Sequence, residues 1–223
     1  AQSSEDDVLF GMVRRGGGAS VLLIPSMRAT SAGLGSDWVA VHELSHLWLP
    51  RMVAEDRWLS EGIATYLQEV LRARCGRQSS ERAWSRLRDG FARGRRSGTG
   101  RRLVAETSAM NRTGAYFREY WAGAAFALET DVRLREESAG KMSLLRAIDL
   151  AHGSWPEARP LRASVFLEAL ERASGSSFIR ELGERYAEQS DFPDVSYADS
   201  FRHRDVRAQI TAPVDGACPV NDE

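Results

Sequence analysis

Hydrophobic residues follow two different periods along the chain, and the period changes near residue 36. Residues 8–13 and 19–24 are short apolar segments separated by a Gly-rich stretch, the pattern of two β-strands joined by a turn. From residue 37 onward, apolar residues recur every three to four positions, which is typical of amphipathic helices. The pattern predicts a mainly α (α+β) chain with a β hairpin over residues 8–26, a helical lobe over 37–190 and an irregular tail over 191–223.

Start and stop signals divide the helical lobe into seven predicted helices. Asp37 is the predicted N-cap of the first helix, which ends near Leu47 because Pro50 follows. The second helix, residues 58–73, carries an apolar stripe and is followed by Gly76. The others are predicted from about residue 80 to just before Gly94, and over 115–137, 141–151, 161–173 and 176–189. The Arg-rich segment 93–102 is predicted to be a solvated loop.

Composition and charge bound the function. The chain has 223 residues, of which 43% are hydrophobic and 27% are charged, so we expect one globular domain over residues 1–223. Its 30 basic and 31 acidic residues nearly cancel, which argues against a nucleic-acid or anionic-membrane partner recognised through net charge. No apolar run approaches the roughly 20 residues of a membrane span.

The cysteines and the N-terminus leave two questions open. Cys75 and Cys218 show no zinc-ribbon spacing, and they are either buried thiols or one disulfide. Residues 1–7 lack the pattern of a signal peptide, which is either absent or already removed. Localisation stays unknown, with an extracytoplasmic site favoured if the N-terminus is a processed one.

The first candidate chemistry is an HExxH motif at residues 42–46 of the first predicted helix. Because residues four apart share one helical face, the imidazoles of His42 and His46 can bind a single metal ion. Glu43 then lies beside the metal without ligating it, which suits a general base. The alternative is an amphipathic helix with two surface histidines.

A third ligand is expected at the start of the next helix. Catalytic zinc takes three protein ligands and keeps one position open, and Glu61 is the predicted completion. Its alternative role is a carboxylate favoured by the helix dipole. Glu55 and Asp56 are second-choice ligands on the preceding loop. The pattern HExxHxxGxxH is excluded because Leu49 and Met52 replace its Gly and third His.

Four segments carry a family resemblance: VAVHELSHLW (39–48), WLSEGIATYLQE (58–69), EYWAGA (119–124) and FLEALERASGSSFIRELGERY (166–186). With them the sequence resembles the gluzincin zinc metallopeptidases, especially the glycyl-aminopeptidase-like and aminopeptidase-N-like branches. The resemblance implies a thermolysin-like zincin catalytic domain that binds one Zn²⁺ through His42, His46 and Glu61. It also implies a peptide or protein substrate.

The resemblance further implies that Tyr120 donates a hydrogen bond to the oxyanion, because a phenol stays protonated near neutral pH. Tyr116, one turn earlier, is the alternative donor, and a core aromatic is the other interpretation of Tyr120. His203, paired with Asp205, is a weaker candidate for a second donor, with a surface location favoured. His152, at a predicted helix end, is assigned a structural role.

The sequence departs from the family in three places. Only fourteen residues separate His46 from Glu61, several fewer than usual, and Ala122 replaces the usual Lys. Val13 stands where the aminopeptidases have the Glu that binds the substrate amine, so the enzyme either cleaves internal bonds, which is favoured, or binds the terminus through a different acid. Nothing in the sequence matches the β-rich N-terminal domain of these enzymes. We therefore expect a fragment or processed product that lacks an N-terminal domain or partner chain, or a minimal catalytic lobe.

Together these features predict a zinc-dependent peptide-bond hydrolase. Thr65, one turn after Glu61, is expected to orient one of the imidazoles. Two alternatives remain: a non-catalytic binding module that keeps the metal, and a zinc hydrolase of non-peptide bonds.

Overall fold

A computed structural model of the protein describes residues 7–15, 18–155, 159–198 and 203–214. The strands are β1 (Val8–Arg15) and β2 (Ala19–Pro25). The helices are α1 (Ser31–Ser36), α2 (Trp38–Ser45), α3 (Arg57–Arg74), α4 (Ser80–Arg96), α5 (Leu103–Thr113), α6 (Tyr116–Glu137), α7 (Leu144–Ala151), α8 (Ala163–Ser174), α9 (Ile179–Glu188) and α10 (Arg204–Thr211), with 3₁₀ turns at Ala54–Asp56 and Ser196–Ala198. The protein is mainly helical with a small N-terminal sheet, which confirms the predicted class.

The two strands form the predicted antiparallel hairpin. Phe10 pairs with Ile24 and Met12 with Leu22, while residues 16–17 lie outside the described part. The backbone of β1 packs on α2, where a Cβ on Gly11 would lie 2.6 Å from Val39 Cγ1. The hairpin therefore covers the helix that carries the HExxH motif.

The core is built around α3 and α6, which pack most extensively against each other. Trp58 and Phe126 meet edge to face with ring centroids 5.7 Å apart, and both are fully buried. The hydroxyl of Tyr66 donates to Asp131 Oδ2 at 2.7 Å, so this buried phenol is satisfied across the same interface. The apolar stripe predicted for the second helix faces this core.

Two glycines let α3 and α6 approach closely. A Cβ on Gly62 would collide with the backbone of Gly123, and a Cβ on Gly123 would collide with the carbonyl oxygen of Trp58. Only residues without a side chain allow this backbone contact. The contact brings Glu61, next to Gly62, and Tyr120, one turn before Gly123, to the same end of the two helices.

The prediction that the third helix stops before Gly94 is wrong. Helix α4 continues to Arg96, because Gly94 serves a close contact and not a helix end. A Cβ at this position would lie 2.7 Å from Trp121 Cβ and would collide with the ring of Phe192. Arg93 stacks over the ring of Trp121 at 5.4 Å, so the first part of the predicted Arg-rich loop is ordered helix.

Three helices lie outside the seven that the sequence predicts. Helix α1 buries none of its residues, and α5 lies where no helix was predicted. Helix α10 lies in the predicted irregular tail, where its Ile210 is buried and Thr211 Oγ1 lies 2.6 Å from Ser80 Oγ. The tail residues 199–202 and 215–223 lie outside the described part.

Two further observations concern the cysteines and the lengths of the helices. Cys75 is disulfide-bonded, and Cys218, the other cysteine of the sequence, lies outside the described residues. Within the described ranges, every helix is too short or too polar to cross a bilayer.

Candidate metal centre

Helix α2 places the two histidines one turn apart. Its N-cap is Asp37, as predicted, whose Oδ1 accepts from the Val39 N–H at 2.7 Å. The helix ends at Ser45, and His46 follows as a C-cap that keeps helical dihedrals of −62° and −20°. The imidazoles of His42 and His46 therefore share one face, with their Nε2 atoms 3.3 Å apart.

Glu61 completes a triangle of ligand atoms. Its Oε2 lies 3.3 Å from His42 Nε2 and 3.5 Å from His46 Nε2. A tetrahedral zinc with bonds of about 2.0–2.1 Å requires ligand atoms about 3.3–3.4 Å apart. The triangle therefore has the size of one face of a tetrahedral zinc site. Within the described residues, these three form the group of His, Cys, Asp or Glu side chains that can hold a metal ion.

A glutamine orients the first imidazole. His42 Nδ1 lies 2.9 Å from Gln68 Oε1, so the ring donates from Nδ1 and directs the lone pair of Nε2 toward the metal position. Gln68 Nε2 donates in turn to Glu69 Oε1 at 3.1 Å. The prediction that Thr65 orients an imidazole is wrong, because its buried hydroxyl makes no hydrogen bond to the described residues.

The electrostatics of the group favour positive charge next to Glu61. Burial opposes ionisation of Glu61, but the charge of His46 and hydrogen bonds from both histidines hold the pKa of its carboxyl well below the usual range. Burial likewise opposes protonation of His42, yet the hydrogen bond and charge of Glu61 raise the pKa of its imidazole. A partly buried carboxylate that stays ionised beside two imidazoles can bind a cation at this point.

Glu43 lies beside the ligands and outside the triangle. The carboxylate is half-buried and faces the same cleft as His42. A Cβ on Gly11 would approach Glu43 Cγ to 2.6 Å and Oε1 to 3.2 Å, so β1 passes directly beside this side chain. Glu43 can therefore exchange a proton with a group at the metal position without occupying a coordination site.

Tyr120 reaches the centre from α6. Its ring centroid lies 6.1 Å from that of His42, and the side chain is partly buried. Burial and the charges of Glu61 and Glu119 raise the pKa of the phenol, which keeps it a donor. Tyr116 also lines the cleft but is 43% exposed at the start of the helix. Of the two tyrosines, Tyr120 has the ring contact with a ligand.

The second-choice ligands serve another part of the fold. Asp56 Oδ2 accepts from the Ala163 N–H at 2.8 Å, near the start of α8. Glu55 Oε1 lies 3.3 Å from Arg162 Nη1. Neither carboxylate belongs to the metal-competent group of the described residues.

The two remaining histidines also lie outside the cleft. The favoured surface location of His203 is wrong: the ring is buried, and its Nδ1 lies 2.7 Å from Glu136 Oε1. Glu136 is sixteen residues beyond Tyr120 on α6, about 24 Å along the helix, so His203 cannot donate to an oxyanion there. His152 follows α7 and contacts the ring of Trp155 edge to face.

Arg57 and Glu119 are site residues that the sequence motifs did not reveal. Arg57 lines the cleft, and its Nε lies 3.4 Å from Oε1 of the fully buried Glu119. Burial, against the opposing charge of Arg57, raises the pKa of the Glu119 carboxyl to about 8. Their positions in the sequence could have indicated them, because Arg57 lies one helical turn before Glu61 and Glu119 directly precedes Tyr120.

The three candidate ligands open into one cleft of about 1190 Å³, together with Glu43, Arg57 and the two tyrosines. Its walls are β1, α2, the segment 50–54, and the first turns of α3 and α6. No protein-family model and no curated protein matches this sequence. The family resemblance therefore depends on the motifs and on the three ligands.

Proposed function

We propose that the protein is a zinc-dependent peptide-bond hydrolase of the gluzincin type with a thermolysin-like zincin fold. The observation that carries the proposal is the triangle of ligand atoms from His42, His46 and Glu61. Its sides match the distances between ligand atoms around one zinc ion, and it lies beside Glu43 in an open cleft. Structural zinc sites are closed by four protein ligands, whereas catalytic sites keep a position for water or substrate. Three ligands in a cleft favour catalysis.

In the proposed mechanism, Glu43 carries out the proton transfers. Bound Zn²⁺ would lower the pKa of water toward neutrality and polarise a carbonyl. Glu43 accepts the proton of the attacking water and delivers it to the amine that leaves. Strand β1 passes directly beside this side chain at Gly11.

Tyr120 stabilises the developing charge. Its phenol donates a hydrogen bond to the carbonyl oxygen as that oxygen becomes negative. The raised pKa of the phenol keeps the proton available, since no titration occurs near neutral pH.

Strand β1 offers a place for an extended substrate. Among the described residues it pairs with β2 alone, and its residues 10–15 line the cleft in succession. A peptide can add to such an edge through backbone hydrogen bonds. Of the described residues that line the cleft, only Glu43 and Glu61 are acidic, so no carboxylate is left for a terminal ammonium. This composition, with Val13 on the strand, favours internal cleavage.

Zinc analysis combined with peptide cleavage tests the proposal. The purified chain is expected to carry one zinc, to cleave members of a peptide library, to lose this activity to a chelator and to regain it with Zn²⁺. Glu61→Ala should lose the metal, whereas Glu55→Ala should keep it. Unchanged zinc content in Glu61→Ala, or cleavage that resists the chelator, would contradict the proposal.

A further inference from the structure

The cleft around the metal centre has a strong charge asymmetry. Outside the metal group and Glu43, the charged residues that line its described part are all arginines: Arg14, Arg15, Arg51 and Arg57. Guanidinium groups stay protonated in proteins. With a divalent ion bound, the charges of Glu43 and Glu61 are balanced, and the other charged side chains that line the described part of the cleft are the four arginines.

Arg57 has the most specific position of the four. It lies one turn before Glu61 on α3 and thus on the same helical face. Glu119 holds its Nε at 3.4 Å, and Met110 Sδ, a weak acceptor, lies 3.6 Å from Nη2. Nη1 has no hydrogen-bond partner among the described residues, and the side chain is 37% exposed. An anchored guanidinium with a free edge can bind a carboxylate without losing much side-chain freedom.

The other arginines extend the positive surface. Arg15 donates through Nη2 to the carbonyls of His46 and of Leu49, the latter at 2.6 Å, so its charge is fixed at the end of α2. Arg14 and Arg51 are exposed, and neither makes an ion pair within the described residues. The cations therefore lie on the β1 side, on the segment after α2 and at the start of α3.

We infer that this cleft selects substrates that carry a carboxylate near the scissile bond, with Arg57 as the specificity-determining residue. The inference rests on the proposed function and specifies its substrate class. The carboxylate belongs either to an acidic side chain or to the free C-terminus of the substrate. Both present the same planar acceptor to the guanidinium.

Three peptides of one sequence separate the two sources. The first is neutral, with Gln at several positions and an amidated C-terminus. The second has Glu in place of each Gln, and the third keeps Gln but ends in a free carboxylate. Mass spectrometry measures kcat/KM for the zinc-loaded protein. Calorimetry measures Kd for the zinc-loaded Glu43→Gln variant, which reports selectivity without turnover.

One of the two anionic peptides is expected to exceed the neutral one by at least about 10-fold in kcat/KM and in affinity, the scale of a charged hydrogen bond. The preference should shrink between 50 and 500 mM NaCl, because exposed charges are screened. Equal values for all three peptides, or binding of none, would overturn the inference. Charge-selective binding without hydrolysis would support it and contradict the proposed function.

Variants assign the preference to a residue. Arg57→Gln should reduce the 10-fold preference to less than about 2-fold, and Arg51→Gln, which breaks no described contact, should reduce it in part. Arg57→Gln combined with Glu119→Gln avoids a stranded buried carboxylate and should behave like the single variant. Arg101→Gln removes an exposed charge outside the cleft and should leave the preference intact. A full preference in both Arg57 variants would contradict the assignment.

Discussion

Gly62 and Gly123 lie backbone against backbone where α3 crosses α6. This crossing sets the distance between the helix that carries Glu61 and the helix that carries Tyr120. The proposed zinc ligand and the proposed oxyanion donor lie on different helices, so their separation depends on two residues that have no side chain. The glycines beside these functional residues in the sequence have a packing role.

The first prediction follows from this contact. Gly62→Ala should lower the free energy of unfolding by about 3 kcal/mol or more, because the new methyl group meets rigid backbone. Gly98→Ala is the matched control, since its Cβ would find its nearest neighbours at 3.8 Å, and it should change stability by less than about 1 kcal/mol. Denaturant unfolding measures both. Equal stability of the two variants would contradict the tight crossing.

The second prediction concerns the partner of His42. Gln68→Leu removes the acceptor of its Nδ1 proton and should weaken zinc binding by about 10- to 100-fold. Thr65→Val removes a hydroxyl that makes no described hydrogen bond and should change the affinity little. Competition with a chromophoric chelator gives both constants. A larger loss in Thr65→Val would restore the role expected for Thr65 from the sequence.

Whether the sequence predicts a contact in this site depends on how far apart the two residues lie along the chain. His42 and His46 are related by one helical turn, so their convergence follows from local periodicity. Gln68 lies seven residues after Glu61, on the same helical face, so the same periodicity could have predicted its position near the site. The pairing of Arg57 with Glu119 joins α3 to α6, and no local pattern encodes the crossing that brings them together.

Glycine residues were unreliable predictors of helix ends. Gly76 follows the end of α3 with φ of +66°, the left-handed conformation that ends helices. Gly94 looks the same in the sequence but stays helical, because Trp121 and Phe192 occupy the space of its missing side chain. Helix α10 has few apolar residues and is placed by contacts with α3, α4 and α6, which a local pattern does not show.

The third prediction distinguishes the two tyrosines. Tyr120→Phe should lower kcat by about 10²- to 10³-fold with a smaller effect on KM, the scale of one lost oxyanion donor. Tyr116→Phe should lose much less, since Tyr116 is exposed at the rim. Steady-state kinetics on one peptide measures both. The opposite order of losses would move the donor to Tyr116.

The fourth prediction concerns the substrate terminus. A free peptide and its N-acetylated form should be cleaved with similar kcat/KM, because the described lining of the cleft offers an ammonium Val13 and no acid besides Glu43 and Glu61. In cleavage of an internal bond the ammonium stays in solvent, because placing it unpaired and desolvated in the cleft would disfavour binding by several kcal/mol. A loss above about 10²-fold on acetylation, equivalent to about 2.7 kcal/mol, would instead show that the amine is required.

The proposed role of Glu43 as the general base is tested most directly by the activity of Glu43→Gln, with its zinc content measured in the same sample. The substitution keeps the shape of the side chain and removes only the base, so the variant should retain one zinc and the fold. Its peptide hydrolysis should fall to the level of the metal-free protein. Near-full turnover in the zinc-loaded variant would contradict the assignment of Glu43 and, with it, the proposed mechanism.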